Sequence, residues 1–149
     1  MRARFWETVP LAEMTVEEWE AVCDGCAKCC LVKLEDETDG TVYFTDVHCF
    51  LLERPSCRCG DYANRTTRVP TCIRLEPGQL DDVFWMPTSC SYRRLAEGRG
   101  LASWHHLLTG DADAIHRAGA SIRGRAVPET EVAEDDLEDR LVDWPATER

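Results

Sequence analysis

The first regular pattern of apolar and polar positions predicts a short amphipathic helix that begins after Thr15. Residues 15–18 read Thr-Val-Glu-Glu, the S/T-x-x-E form of a capping box, in which two side chains satisfy backbone N–H groups at the helix start. Trp19, Val22 and Cys23 lie at spacings i, i+3 and i+4, which gives the helix one apolar face. We expect this helix to lead into the cysteines that begin at Cys23.

A β-hairpin is predicted next. Residues 41–45 (TVYFT) are β-branched or aromatic, and they follow a polar run that ends in the turn signal Asp39-Gly40. We expect this segment to form a short strand that pairs with residues 31–34, and Cys49 to close the unit.

The middle of the chain lacks a sustained period of either kind. Residues 55–77 contain Cys57, Cys59 and Cys72 among turn-forming residues, so we expect a loop-rich segment held by something other than backbone ladders. Residues 81–86 predict a weak strand or a turn.

Two short helices are predicted after this segment. One spans residues 89–98 and ends at Gly98, and the other spans residues 103–108 and ends before Gly110. Glycine is the usual residue just past a helix end because it adopts positive φ at little steric cost.

The C-terminal part of the chain is strongly acidic. Residues 129–143 hold eight acidic residues and one arginine, a local charge of 1 − 8 = −7, whereas the rest of the chain carries 16 − 20 = −4. The spacing of Leu137, Leu141 and Trp144 favours an amphipathic helix docked by these side chains, and a solvated tail is the alternative.

Length and composition predict one domain with a real core. A chain of 149 residues falls in the usual size of a single domain, and a hydrophobic share of 44% with five tryptophans is sufficient for a core. We expect this domain over residues 5–127 and an acidic extension over residues 128–149. The formal charge of −11 argues against a nucleic-acid surface, which needs clustered Lys and Arg.

The chain shows no signal for export or membrane insertion. Its N-terminus has no apolar h-region, and its apolar runs are only a few residues long. We therefore expect a monomeric cytoplasmic protein. Stable disulfides are rare in the cytoplasm, so nine cysteines there indicate metal or redox chemistry.

Cys23, Cys26, Cys29 and Cys30 form a C-x-x-C-x-x-C-C string and are the first metal ligands to suspect. On a helix, a rotation of about 100° per residue places the four thiols within an arc of about 120°. If Gly25 breaks the helix, the C-x-x-C portion becomes a turn whose two sulfurs chelate one ion. Because adjacent side chains diverge, we expect at most three of the four at one metal, with the fourth buried, bridging or serving a second site.

The remaining cysteines lie in turn-like or loop-like surroundings, where a sulfur reaches a metal without breaking a ladder. Nine thiols allow two four-cysteine sites with one left over, or one cluster and several small buried thiols. The spacing is similar to ferredoxin-type ligation and also suits zinc, so the cofactor is an iron–sulfur cluster or zinc. The five further candidate ligands are Cys49, Cys57, Cys59, Cys72 and Cys90.

Polar side chains near the cysteines are candidates for tuning the metal ligands. Asp61, Tyr62 and Arg93 could contact the ligating sulfurs or a substrate, as groups around metal ligands commonly do. Ordinary salt bridges and a partly buried tyrosine are the alternative.

Histidines and paired aspartates supply further candidates. His48, beside Cys49, could complete a mixed Cys/His site, and His105 and His106 follow Trp104 in an apolar stretch. For each of the three, an ordinary hydrogen-bonded histidine is the favoured alternative. The adjacent Asp81 and Asp82 are candidates for a cation or acid/base site, with a solvated turn as the alternative.

Several stretches of the chain together match one family pattern. They are CDGCAKCC at 23–30, YFTDVHC at 43–49, CRCGDY at 57–62, PTCI at 70–73, PTSCSYRRLAEG at 87–98, WH at 104–105 and LLTG at 107–110. This pattern resembles the CxxCxxCC family of zinc- or iron-chelating proteins, and within it the bacterial YcgN-like branch. The resemblance covers residues 5–127 and implies a metal-binding domain, with all nine cysteines on positions like those of the family.

Three hypotheses follow for a small single-domain α+β protein with a loop-rich cysteine region, short helices and a short hairpin around a metal site. The first is a protein that holds an iron–sulfur cluster or zinc through cysteine thiolates. The second is a thiol redox enzyme that uses Cys23 and Cys26, with Lys28 as the nearby base. The third is an adaptor with a structural zinc and an acidic segment, residues 129–143, that binds a basic protein partner.

Overall fold

Short helices contribute most of the regular secondary structure. The structure is a computed structural model that describes residues 1–53, 56–70, 72, 75–76 and 85–142. Its α-helices are α1 (Phe5–Thr8), α2 (Val16–Val22), α3 (Arg65–Arg68), α4 (Ser91–Ala96), α5 (His106–Thr109) and α6 (Ala114–Arg117). Turns of 3-10 helix span Leu11–Glu13, Lys28–Cys30, Tyr62–Asn64, Glu129–Glu131 and Glu134–Arg140.

The predicted hairpin is the centre of a small mixed sheet. The strands are β1 (Leu31–Glu35), β2 (Val42–His48), β3 (Leu52–Glu53), β4 (Arg58–Cys59) and β5 (Val127–Pro128). β1 pairs antiparallel with β2, with Lys33 opposite Phe44, and β5 joins the other edge of β2 in parallel. β3 and β4 form a separate antiparallel pair in which Leu52 lies opposite Cys59.

The helix predictions based on caps are confirmed. The Thr15 hydroxyl accepts a hydrogen bond from the Glu18 amide (3.1 Å), and the Glu18 carboxylate accepts one from the Thr15 amide (3.0 Å), so both halves of the capping box are present. α4 is followed by Gly98 and α5 by Gly110, both at positive φ. These stops are local, because only the glycine conformation is needed to end the helix.

Residues 55–77 are more regular than predicted. The described residues of this segment form β4, the 3-10 turn Tyr62–Asn64 and α3. The strand or turn predicted over residues 81–86 and the pair Asp81 and Asp82 lie outside the described residues, apart from Trp85 and Met86.

Among the described residues, three buried clusters form the core, and each includes a cysteine. The N-terminal cluster contains Phe5, Met14, Trp19, Val22, Met86, Cys90 and Tyr92. The Trp104 cluster contains Cys26, Ala102, Trp104, Ile115 and Ala120. The strand cluster contains Ala27, Leu31, Leu52, Cys57 and Ile122.

The acidic segment packs against β2 without forming an α-helix. It adopts 3-10 structure over Glu134–Arg140, and the Arg140 guanidinium donates to both carboxylate oxygens of Asp46 at 2.8 and 3.1 Å. The Val142 amide donates to the Phe44 carbonyl at 2.9 Å. Trp144, which was predicted to help dock this segment, lies outside the described residues. The division of the chain into a domain over residues 5–127 and an extension over residues 128–149 stays a prediction.

The prediction of a small single-domain α+β fold is confirmed by these helices and this sheet. Within the described residues, each helix is too short or too polar to cross a lipid bilayer.

Candidate metal centre

The cysteine string forms a loop, so the prediction that one helix face presents all four thiols is wrong. α2 ends at Val22, and Cys23 already has extended backbone angles. Gly25 (φ +79°) and Ala27 (φ +63°) adopt left-handed conformations that interrupt any helix before the 3-10 turn Lys28–Cys30. The alternative in which Gly25 breaks the helix is the one observed.

Side chains from distant segments hold the end of α2, from which the loop departs. The last carbonyl groups of a helix have no partner within the helix and must find one elsewhere. Here Tyr92 donates to the Trp19 carbonyl (2.7 Å), and His105 Nε2 lies 2.7 Å from the Val22 carbonyl. These contacts fix the position of the backbone from which Cys23 and the loop continue.

Further hydrogen bonds fix the loop itself. The Asp24 carboxylate accepts from the Cys26 amide (3.0 Å), and the Cys26 carbonyl accepts from the Ile122 amide (3.0 Å). The buried Lys28 ammonium donates to the Ser89 hydroxyl at 2.9 Å, which joins the loop to the residue that precedes Cys90.

Four thiols, three in the loop and one at the residue before α4, influence one another. Burial raises the pKa of Cys23 and Cys26 well above that of a free thiol, and the charges of Asp24, Cys29 and Cys90 raise it further. Burial also raises the pKa of Cys90 to about 12, with contributions from Asp24 and Cys29. These mutual effects require proximity, and we name Cys23, Cys26, Cys29 and Cys90 the first cysteine set.

Four other thiols, one in the loop and three in distant segments, also influence one another. A hydrogen bond from the Cys30 thiol to Cys29 raises the pKa of Cys30, as do burial and the charges of Cys49 and Cys59. Burial raises the pKa of Cys49, to which the charges of Glu129, Cys72 and Cys59 add. Burial likewise raises the pKa of Cys72, with contributions from Cys29 and Cys59. We name Cys30, Cys49, Cys59 and Cys72 the second cysteine set.

The ninth cysteine, Cys57, is a core residue. It belongs to the strand cluster and is 4% exposed. Burial raises the pKa of its thiol, and the charge and hydrogen bond of Arg123 lower it. Its surroundings are those of a buried structural thiol, which was one of the alternatives for the later cysteines.

The cation beside the exposed thiol is Lys33, which the sequence did not single out. The hydrogen bond from Cys30 lowers the pKa of Cys29, and the Lys33 ammonium lowers it further. Lys33 donates to the Cys29 carbonyl (2.8 Å) and the Leu31 carbonyl (3.0 Å). The prediction that Lys28 serves as the base for the loop thiols is wrong, because the Lys28 ammonium is hydrogen-bonded to the Ser89 hydroxyl.

His105 and His48 are both buried, but they differ in the hydrogen bonds of their rings. His105 is fully buried and uses both ring nitrogens, since Nδ1 accepts from the Leu107 amide and Nε2 therefore donates to Val22. It is an ordinary hydrogen-bonded histidine. His48 is 2% exposed; its Nδ1 lies 2.8 Å from the Cys49 carbonyl, and its Nε2 has no hydrogen-bond partner among the described residues.

The predicted tuning residues make ordinary polar contacts. Asp61 pairs with Arg68 at 3.2 Å, and Arg93 pairs with Glu97 at 3.1 Å. Tyr62, which is half exposed, donates to the Glu20 carboxylate at 3.0 Å. Their roles around a metal stay predictions.

The donors suit a metal although they are not grouped as a finished site. The cysteines are thiols without disulfide bonds, and soft thiolates select zinc or iron–sulfur clusters. The buried His48, with Nδ1 near a carbonyl and Nε2 available, is a familiar arrangement around metals. Among the residues that the structure describes, however, no three His, Cys, Asp or Glu side chains are already positioned to hold an ion.

Comparison with known proteins identifies the cysteine region. Residues 22–91, which include all nine cysteines, match the CxxCxxCC domain, described as a "Putative zinc- or iron-chelating domain". No solved structure matches the chain. Similar proteins include UPF0260 proteins of Rhodopseudomonas palustris HaA2 (55% identical over 143 residues, 95% of this chain and 84% of the relative), Parvibaculum lavamentivorans (53% over 141, 95% and 92%) and Allorhizobium ampelinum (54% over 143, 96% and 90%).

Proposed function

The chain belongs to the UPF0260 family and its residues 22–91 match the CxxCxxCC domain, and from that premise we propose that its cysteines hold zinc or an iron–sulfur cluster. The ligands are drawn from the first and second cysteine sets. The assignment to the YcgN-like branch stays a prediction.

One observation carries the proposal: eight thiols from five separate stretches of the chain lie close enough to one loop to influence one another's pKa. The interactions between the loop cysteines and Cys49, Cys72 and Cys90 span long sequence separations. Of these eight cysteines only Cys26 and Cys90 are buried, so packing in the core does not account for the other six. Thiolate sulfurs are the ligands that zinc and iron–sulfur clusters prefer.

Metal binding by these thiols must displace protons. Burial raises the pKa of Cys23, Cys26 and Cys90, so these groups are protonated near neutral pH in the absence of a metal. A metal ion replaces those protons, and its affinity therefore rises with pH. A bound zinc would supply a structural crosslink, whereas an iron–sulfur cluster would supply an electron-transfer site.

The test is anaerobic purification of the full chain, followed by elemental analysis and a visible absorption spectrum. A brown protein with sulfide-to-iron charge-transfer bands identifies the cluster, and a colourless protein with stoichiometric zinc identifies the zinc site. A protein that retains neither metal after anaerobic reconstitution contradicts the proposal.

The electrostatics disfavour the redox alternative. An exchanging thiol needs a lowered pKa, whereas burial raises the pKa of both Cys23 and Cys26. Alkylation under reducing conditions, with and without a strong chelator, separates the two functions. Metal ligands react only after the chelator acts, whereas a redox pair reacts at once. A reducing cytoplasmic location fits the thiol state of the cysteines and is part of the proposal.

The adaptor alternative concerns the acidic segment. Arg140 is paired with Asp46 in the domain, while Glu129 accepts a hydrogen bond from the Phe50 amide at 2.8 Å. Deleting residues 129–143 would abolish capture of a basic partner in the adaptor case and leave the metal content unchanged.

A further inference from the structure

The chain contains only two lysines, and both lie in or beside the cysteine string. Its 17 basic residues comprise Lys28, Lys33 and 17 − 2 = 15 arginines. Lys28 opens the 3-10 turn Lys28–Cys30, and Lys33 lies in β1, which follows directly. The two cations of this kind therefore flank the adjacent Cys29 and Cys30.

Arginines, by contrast, form the ion pairs of the described residues. There, each side-chain cation within 4.0 Å of a carboxylate oxygen is an arginine, as in Arg2 with Glu18 and Arg140 with Asp46. Neither lysine has a carboxylate within that distance in the part of the chain that the structure describes. The lysines thus differ from the arginines both in position and in partners.

The Lys28 ammonium is buried without an ion-pair partner among the described residues. Lys28 is 2% exposed, and the acceptor of its Nζ there is the neutral Ser89 hydroxyl at 2.9 Å. An ammonium has three N–H donors, and a buried charge is costly unless it is paired and hydrogen-bonded. Asp24, the one acid in the cysteine string, instead accepts a hydrogen bond from the Cys26 amide. A further source of negative charge near Lys28 would remove this cost.

The Lys33 ammonium is held against the same turn by neutral groups. Its Nζ donates to the Cys29 carbonyl at 2.8 Å and to the Leu31 carbonyl at 3.0 Å, and it lies 5.4 Å from the centre of the Phe44 ring. An ammonium is a compact point charge, whereas a guanidinium matches the two oxygens of a carboxylate. Lysine at both positions therefore suits a compact negative group.

We propose that Lys28 and Lys33 are the counter-cations of the metal–thiolate centre, so that the group held by the cysteines carries net negative charge. The inference rests on the proposed function and adds the sign of that charge and the residues that balance it. A zinc ion held by three or four thiolates carries 2 − 3 = −1 or 2 − 4 = −2 charges. Two ammonium groups offset a charge of this sign and size.

Residue 28 also acts on a sulfur through its backbone. The Lys28 amide donates to Cys26 Sγ at 3.4 Å, while the ammonium of the same residue reaches Ser89, the residue before Cys90. Hydrogen bonds to sulfur stabilise its negative charge and tune bound metals. One residue therefore supplies a backbone donor to one candidate ligand and a buried cation to the segment that carries another.

The zinc affinity of the full chain tests the role of the charge. The reduced protein is loaded anaerobically with zinc(II), and its affinity is measured by competition with a chelator of known affinity. We expect Lys28→Met and Lys33→Met each to weaken zinc binding by about 10–100-fold, the usual effect of removing a group that supports metal ligands, with the same number of zinc ions per chain. Arg4→Met is the matched control, because it removes one unit of charge from an exposed pair with Glu7 and should change the affinity by less than about threefold.

Two further variants of Lys33 separate its charge from its hydrogen bonds. Lys33→Arg keeps a cation with N–H donors, whereas Lys33→Gln keeps a neutral donor alone. We expect Lys33→Arg to retain most of the zinc affinity and Lys33→Gln to lose as much as Lys33→Met. Equal losses in the arginine and glutamine variants overturn the inference, because the charge is then not what matters.

The stability of the metal-free chain separates a counter-cation from a structural hydrogen bond at Lys28. Replacing a buried charge by an apolar side chain of similar volume is often neutral or stabilising, whereas losing a structural hydrogen bond is destabilising. We expect metal-free Lys28→Met to unfold at the same urea concentration as the original chain or at a higher one, although its zinc affinity is lower. A lower urea midpoint identifies a structural bond and overturns the role of Lys28.

Failure of the inference is distinguishable from failure of the proposed function. If the original chain binds zinc and all the lysine variants bind it equally well, the inference is wrong and the proposed function stands. A chain that binds no zinc and no iron contradicts the proposed function itself.

Discussion

Replacing Tyr92 by phenylalanine should measure what the distant cap on α2 contributes to stability. Tyr92 is 8% exposed, and its hydroxyl is 2.7 Å from the Trp19 carbonyl, one of the last carbonyls of α2. The substitution keeps the ring, whose centroid lies 4.7 Å from that of Trp19, and removes only the donor. A buried acceptor left without its partner costs about 1–3 kcal/mol.

Urea unfolding of the metal-loaded protein, followed by tryptophan fluorescence, provides the assay. With a slope of about 2 kcal/mol per molar urea, the loss corresponds to a midpoint lower by roughly 0.5–1.5 M. Tyr43→Phe is the control, because Tyr43 is 42% exposed and should change stability by less than about 0.5 kcal/mol. Equal midpoints for the two variants would refute the argument that Tyr92 caps the helix. The metal content of both should equal that of the original chain, since no sulfur is touched.

Three further predictions concern contacts around the same helix and loop. Ser89→Ala removes the hydrogen-bond acceptor of the buried Lys28 ammonium and should lower the unfolding free energy by about 1.5–3 kcal/mol in urea titrations; an unchanged midpoint would show that this contact is dispensable. Burial lowers the pKa of His105 below its usual 6.5, so the stability that the neutral ring contributes is fully present above about pH 6.5 and is lost as the pH falls. His105→Gln should therefore flatten the decline of the unfolding free energy at low pH. Parallel curves of unfolding free energy against pH for the variant and the original chain would contradict this role of His105. Thr15→Ala removes the capping bond to the Glu18 amide and should destabilise the protein by about 1 kcal/mol in thermal unfolding, while Thr15→Ser should not; equal losses in both would exclude the cap as the cause.

The parts of the fold that were predicted correctly depend on interactions between residues close in sequence. The capping box joins Thr15 and Glu18, and the hairpin brings together strands separated by one polar turn. Gly98 and Gly110 end their helices through their own backbone conformation. The acidic segment was harder to predict, because its 3-10 form accompanies contacts with Asp46 and Phe44, far away in the sequence.

The candidate site shows the same division. The dense C-x-x-C-x-x-C-C string identified the ligand type, but its helix-or-turn ambiguity was decided by the left-handed Gly25 and Ala27. Nothing in the sequence indicated that Lys28 would bind Ser89 while Lys33 would approach Cys29. Both outcomes depend on where β1 and the residues before α4 lie in space.

The sequence by itself determined which soft donor atoms this protein offers, because its nine cysteines supply thiol groups however the chain folds. Only the tertiary structure decided which thiols are neighbours. Cys49 is brought beside Cys30 by the bond between their backbones, and Cys90 is brought to the loop by the bond between Lys28 and Ser89, which are 61 positions apart. Such contacts form when separate segments bury their apolar faces together, and the spacing of cysteines along the chain does not record them.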